Sequence, residues 1–298
     1  MRRHLLAVVV VASCGRIHFA PRGDAGTADS AGDAAPRRCD PAVPFGAPSP
    51  ISELNVAGSY DSTITLSPDE RTAYWYSDRG NAPNAFDLWT ATRSDPGAPF
   101  TAITAVPALD SPEIDKEPGF APDGSVLAFV STRTDAKGDI YLSMPIGAAP
   151  VAATALNSTA AEYHPFFQLD SNDVYFASSR GGLFSIYHST YLGGGAFATP
   201  TQITDLDIAG ANNDDAAVAS GGTVVYLRTD RPGGLGGEDI WRAERASPSD
   251  QWGAAVLEPV INSDQLDTPS WISPDLCRLY LSSSRSDASD LYVATRTP

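Results

Sequence analysis

Carboxylates recur through this chain at intervals of about fifty residues: Asp61, Asp115 with Glu117, Glu162, Asp214 with Asp215, and Asp267. Two chemistries use such groups. Oxygen ligands gathered with water hold a hard cation such as Ca²⁺. Two carboxylates in unlike environments can act as the acid and the base or nucleophile of glycoside hydrolysis, and Asp61, Glu117 and Asp215 are the candidates for it. Because the acids recur at corresponding places, the first expectation is humbler: each caps its own turn or accepts backbone N–H bonds. The segment SPDLCRLYLSSSRSDASDLYVATR, residues 273–296, also gathers an Asp, a Cys, serines and an Arg. Read alone it could be a reaction centre.

The elements around these residues decide otherwise. That segment is the fifth statement of a repeat, after copies beginning at Leu66, Phe120, Phe167 and Val218. Each copy has a tight turn, Ser-Pro-Asp in the best cases. A strand apolar on both faces follows, such as Val126–Val130 or Leu279–Leu281, and it must be covered on both sides. A polar hairpin then opens near Arg79, Arg133, Arg180, Arg231 or Arg285. It closes on Asp87-Leu88-Trp89, Asp139-Ile140-Tyr141, Ser185-Ile186-Tyr187, Asp239-Ile240-Trp241 or Asp290-Leu291-Tyr292. The arginines are expected to pair with these hairpin acids or with backbone.

A fourth strand is marked by an aromatic residue nine positions before a Leu or Ile that precedes Asn or Asp: Phe45 with Leu54, Phe100 with Leu109, Phe197 with Leu206, Trp252 with Ile261. Leu156-Asn157 keeps only the ending. Four short strands per repeat of this length give an all-β fold, a β-propeller of four-stranded antiparallel blades. The count is five blades, with six as the alternative. The chain starts with an outer strand and stops after an inner unit, so its two ends should share the closing blade. The acids above precede the innermost strands and should gather near one mouth of the channel.

The SPD turn, the apolar strand, the S-x-R and the D-[IL]-aromatic together resemble the WD40-like repeat of TolB-type propellers over about Phe45 to Pro298. The resemblance implies a periplasmic, non-catalytic interaction domain and brings no catalytic residues. TolB-type propellers usually have six blades.

The N-terminus reads as an export signal over residues 1–13: basic Met1–His4, then apolar Leu5–Ser13, too short to span a bilayer. Val11-Ala12-Ser13-Cys14 resembles a lipobox, making Cys14 the lipidation site, and Gly15 after it favours the outer membrane. An ordinary signal peptide is the alternative. Residues 14–42 read as a flexible tether rich in Gly, Ala, Asp and Pro, and 43–298 as the propeller. Export leaves Cys39 and Cys277 in an oxidising compartment. Only Cys277 among the turn residues has no counterpart in the other copies, and a Cys39–Cys277 disulfide is expected to latch the ring.

A net charge of −16 excludes a general nucleic-acid surface, which needs Lys and Arg to replace counterions. No G-x-S-x-G or phosphate loop occurs, and His164 and His188 lack a spaced ligand set. The function expected is that of an exported, lipid-anchored, monomeric module binding a protein or cell-envelope component, without a cofactor apart from the Ca²⁺ alternative. A carbohydrate-active enzyme or carbohydrate-binding protein is the alternative. Binding surfaces are expected where copies differ: Gly80–Ala85, Gly193–Thr199 and Pro232–Glu238.

Overall fold

The computed structural model describes residues 38–81, 85–286 and 288–298. The signal segment, Cys14 and most of the tether lie outside the described residues, as does the middle of the Gly80–Ala85 hairpin.

Five antiparallel sheets form a five-bladed propeller. From the innermost strand outward, blade 1 is Asp61–Leu66, Thr72–Ser77, Asp87–Thr92 and Thr101–Ala105. Blade 2 is Asp115–Phe120, Leu127–Ser131, Asp139–Ser143 and Val151–Ala152. Blade 3 is Glu162–Phe167, Asp173–Ser178, Ser185–Gly193 and Thr201–Gln202, with Ala196–Phe197 folded back on the long third strand. Blade 4 is Asn213–Val218, Val224–Thr229, Asp239–Glu244 and Val256–Leu257. Blade 5 is Asp267–Ile272, Arg278–Ser283 and Asp290–Thr295, completed by Ser49–Pro50 from the other end of the chain.

The second strands are buried on both faces because neighbouring blades cover them: Trp75, Phe129, Phe176, Tyr226 and Tyr280 all lie in the core. Each innermost strand carries a bulge, where the register shifts after its second or third residue. The third residue is Thr63, Glu117, His164 or Asp215, all at φ between 45° and 52°, a left-handed conformation costly for residues with a Cβ. Blade 5 has Pro269 there, whose ring forbids that conformation.

Ring closure is a repetition. Asp95-Pro96-Gly97-Ala98-Pro99-Phe100 joins the third and outer strands of blade 1, and Asp40-Pro41-Ala42-Val43-Pro44-Phe45 leads into the outer strand of blade 5 from the N-terminal side. In both, the Asp side chain caps the turn (Oδ1 to the Gly97 N–H, 3.0 Å, and to the Ala42 N–H, 2.9 Å), and its carbonyl accepts from the residue three on. Cys39 bonds Cys277, and its N–H donates to the Asp275 carbonyl at 2.8 Å. The expected disulfide is present. Residues from Arg38 to Ala42, expected in the tether, lie against blades 4 and 5, because Arg242 and Arg296 both donate to the Pro41 carbonyl.

Candidate functional site

The repeated acids and arginines meet each other; each arginine donates to backbone as expected, to the carbonyl of Leu54, Leu109, Leu156, Leu206 or Ile261, but the acid it meets is not the hairpin acid. Arg79 pairs with Asp61, Arg133 with Asp115 at 2.7 Å, Arg180 with Glu162 at 3.1 Å and Arg285 with Asp267 at 2.6 Å. These carboxylates stand at the start of the innermost strand and are fully buried. Their second oxygens accept the N–H of Val56, Ser111, Ser158 and Ser263. The Ser two before each Arg accepts from the guanidinium Nε, which explains S-x-R. Third-strand aromatics, Trp89, Tyr141, Tyr187 and Tyr292, lie under the guanidiniums.

The hairpin acids have a different task. Asp239 takes the N–H groups of Leu235 and Gly236 in the loop Pro232–Glu238, and Asp290 takes the Ser286 hydroxyl, so they shape their own hairpins. In blade 4 the architectural position is Asn213, which accepts from Arg231 at 2.8 Å. Asp214 and Asp215 therefore belong to the second and third strand positions. Asp61, Asp115, Glu162 and Asp267 are each neutralised within their own blade. Among the described residues, no three His, Cys, Asp or Glu side chains stand together as a metal ligand set.

What does converge on the axis is the third position of blades 2, 3 and 4. The His164 N–H donates to Glu117 Oε2 at 2.9 Å, and Lys116 Nζ lies 2.8 Å from Glu117 Oε1. His164 Nδ1 stands 3.8 Å from Asp215 Oδ1 and is buried without a hydrogen-bond partner. Arg228 grips Asp214 at 2.7 Å and Asp215 at 2.8 Å, and reaches Glu238 at 3.3 Å.

The two axial carboxyls are driven in opposite directions. Burial works to raise Glu117, but Lys116 and the His164 N–H hold it below the usual carboxylate range. Burial pushes Asp215 well above that range, aided by Asp214 and Glu117, against the pull of Arg228. Burial also lowers His164 to about 4, so its imidazole is neutral at pH 7. A Glu117 held below the usual carboxylate range and an Asp215 pushed above it thus flank one neutral histidine. The site is narrow: the Glu117 and Asp215 side chains are 9% and 6% exposed.

Open space lies instead between blades. At three junctions an arginine after the third strand reaches back to the second-strand tyrosine of the preceding blade: Arg93 to Tyr280 at 2.8 Å, Arg296 to Tyr226 at 2.9 Å, and Arg245 to Tyr175. Each guanidinium covers the outer-strand aromatic of its own blade, Phe100, Phe45 or Trp252, at 4.1–4.4 Å. The aromatics were legible as strand markers. The arginine and tyrosine were missed, although the endings TATR, RAER and VATR stood in the sequence.

Two of these junctions hold grooves of the same design. Between blades 5 and 1 a groove of about 400 Å³ is lined by Pro50, Ile51, Pro96, Pro99, Phe100 and Val293, with Glu53 at its side. Between blades 3 and 4 a groove of about 350 Å³ is lined by Asp173, Tyr175, His188, Gln202, Asp205 and Trp252. The registers Tyr280↔Val293 and Tyr175↔His188 show that the linings are corresponding positions with different side chains. His188 thus belongs to a groove and His164 to the axis.

No family model matches the chain, and no curated protein does. Among solved structures, a putative TolB from Agrobacterium tumefaciens is 18% identical over 82% of this chain and 80% of its own, with a TM-score of 0.50. The α-L-arabinofuranosidase PaAbf62A from Podospora anserina, solved with cellotriose, is 15% identical over 86% and 98%, with a TM-score of 0.51. The catalytic domain of a GH62 α-L-arabinofuranosidase from Coprinopsis cinerea is 12% identical over 86% and 97%, with a TM-score of 0.52. At these identities what is shared with both kinds of protein is the fold, a β-propeller.

Proposed function

We propose that this chain is an exported, lipid-anchored propeller that binds a protein or another cell-envelope component without catalysing a reaction on it. The observation that carries this reading is the pair of inter-blade grooves: one scaffold position, two unlike linings. A rigid repeat that holds its architecture and varies its grooves is the arrangement of a recognition surface. The apolar segment ending in Val11-Ala12-Ser13-Cys14 supports export and anchoring at Cys14. The acids that open the innermost strands of blades 1, 2, 3 and 5 are engaged by structural arginines, which argues against a reactive role for them. Crosslinking in the native envelope followed by mass spectrometry tests the reading. A discrete partner is the expected result, and its absence together with a glycan-array hit moves the assignment to carbohydrate.

One observation favours the second reading, a carbohydrate-active enzyme. Glu117 and Asp215 are an acid pair set apart by environment, the condition that acid–base catalysis needs. Hydrolysis of an aryl glycoside or xylo-oligosaccharide that is abolished by Glu117→Gln would establish it.

A further inference from the structure

The junction between blades 4 and 5 shows what the inter-blade groove is built to hold. There the residue opposite the second-strand tyrosine is Arg242, paired with Tyr226 in the register. Its side chain lies across the place that is open at the other two junctions. It donates to the Pro41 carbonyl at 2.8 Å, makes an ion pair with Glu258 at 2.9 Å, and pairs with Glu244. A guanidinium supplied by the chain itself therefore sits against carbonyl and carboxylate oxygens between two blades.

Between blades 3 and 4 the corresponding residue is His188. The shorter side chain turns to Asp173, 2.7 Å from its Nε2, and about 350 Å³ stays open. Two carboxylates line the space. Asp173 is about one third exposed and Asp205 is held in place by the Trp252 N–H at 3.2 Å. Asp173 also accepts from the Ser171 hydroxyl at 3.0 Å and Asp205 from the Gln251 amide at 3.4 Å, and each carboxylate still has acceptor sites beyond these bonds. The one cation in the lining, Arg245, lies flat on Trp252 and donates to the Gly222 carbonyl at 2.6 Å, so its charge is already engaged. Trp252 is 6% exposed, and its indole N–H has no acceptor in the structure. The groove offers carboxylates to a cation and an N–H to a carbonyl, which is what a basic peptide presents.

We propose that the groove between blades 3 and 4 is a seat for an arginine side chain of a partner's extended peptide segment. The guanidinium lies where Arg242 lies one junction on, between Asp173 and Asp205, and the peptide carbonyl accepts from Trp252. A planar fork of donors facing two carboxylates distinguishes arginine from any neutral side chain. The overall charge of −16 draws a basic segment toward the surface. The proposal rests on the binding-module reading and adds the chemistry of the partner.

The test uses the folded chain and two capped tripeptides, acetyl-Gly-Arg-Gly-amide and its citrulline counterpart, followed by ¹⁵N NMR titration. The arginine peptide is expected to shift the Trp252 indole resonance and the amides around Asp173 and His188. It should bind at least ten-fold more tightly than the citrulline peptide. His188→Arg, which gives blade 3 the internal arginine of blade 4, should abolish the shifts while leaving the thermal unfolding midpoint unchanged. Asp173→Asn should weaken binding about ten-fold. Equal binding of the two peptides, or binding that survives His188→Arg, overturns the seat. Capture of the same envelope partner by wild type and His188→Arg would refute the seat and leave the binding module standing, whereas capture of none by either protein refutes both.

Discussion

Arg296, two residues from the end of the chain, donates from its guanidinium to the carbonyl of Pro41 at 2.9 Å across a sequence separation of 255. Arg242 of the neighbouring blade donates to the same oxygen at 2.8 Å. One backbone carbonyl near the start of the described residues thus ties together blades 4 and 5, and the Cys39–Cys277 bond lies beside it. Closure rests on a small set of identifiable contacts, each of which can be removed.

Replacing both cysteines by serine should lower stability by about 2–4 kcal/mol, the usual worth of a bond closing a long loop. The fold should survive, since Arg296 still engages Pro41 and Val43. Urea unfolding followed by tryptophan fluorescence measures the loss, and a thiol assay on the unreduced wild type should find no thiol at Cys39 or Cys277.

The arginine pairs should differ in cost according to what they leave behind. Arg133→Met strands Asp115 as a fully buried charge, and about 3 kcal/mol should be lost. Arg231→Met strands no charge, only the amide of Asn213 and the Leu206 carbonyl, so about 1 kcal/mol is expected. Equal losses in chemical denaturation would show that cation–aromatic packing, and not charge compensation, dominates these sites.

Asp110 offers a route to a more stable protein. Asn55, Asn157 and Asn262, at the corresponding positions, bridge both the N–H and the C=O of one third-strand residue. A carboxylate cannot donate, and Asp110 Oδ1 is left buried without a partner. Burial, with Asp87 and Asp115 nearby, raises its pKa to about 6. Its contribution to stability is therefore full below pH 3.8 and is lost as pH rises through about 6. Asp110→Asn should gain about 0.5–1 kcal/mol at pH 7 after allowance for partial exposure, and little below pH 4. Thermal midpoints at the two pH values check the sign.

His164 makes the opposite prediction. Its pKa falls from 6.5 to about 4 on burial, so its contribution is full above pH 6.5 and is lost as pH falls through about 4. A shift of that size corresponds to about 3 kcal/mol. Stability measured from pH 7 to pH 4 should decline in the wild type and flatten over that interval in His164→Asn, even though the variant is less stable at pH 7.

Much of this was legible in the sequence. The period, the doubly buried second strands and the unmatched Cys277 sufficed for five blades and the latch. The arginines' backbone partners were expected, but their acid partner was misassigned. The hairpin acid nearest each arginine stands at a varying distance, eight residues for Asp87 and six for Asp139. The true partner is always 18 residues upstream, because one fixed hairpin separates the two strands. Constant spacing, and not proximity, was the signal. The axial trio was harder to see. Glu117, His164 and Asp215 share a register position with Thr63 and Pro269, so no residue type recurs, and only the bulge aligns them. The grooves were illegible for a related reason. Tyr175, His188 and Trp252 meet across two blades at separations that no repeat enforces.

The latch also determines how the ring carries mechanical load. The outer strand of blade 5 is two residues long, in register at Ser49↔Val293 and Pro50↔Tyr292 and flanked by the Gly46–Thr295 and Ile51–Leu291 backbone bonds, and tension applied to it directly would peel it open one bond at a time. Any pull on the chain ahead of Cys39 is instead delivered through the sulfurs to Cys277, beside a second strand held by six registered pairs on one side and five on the other. Force thus enters the closing blade at its second strand rather than at its short outer strand.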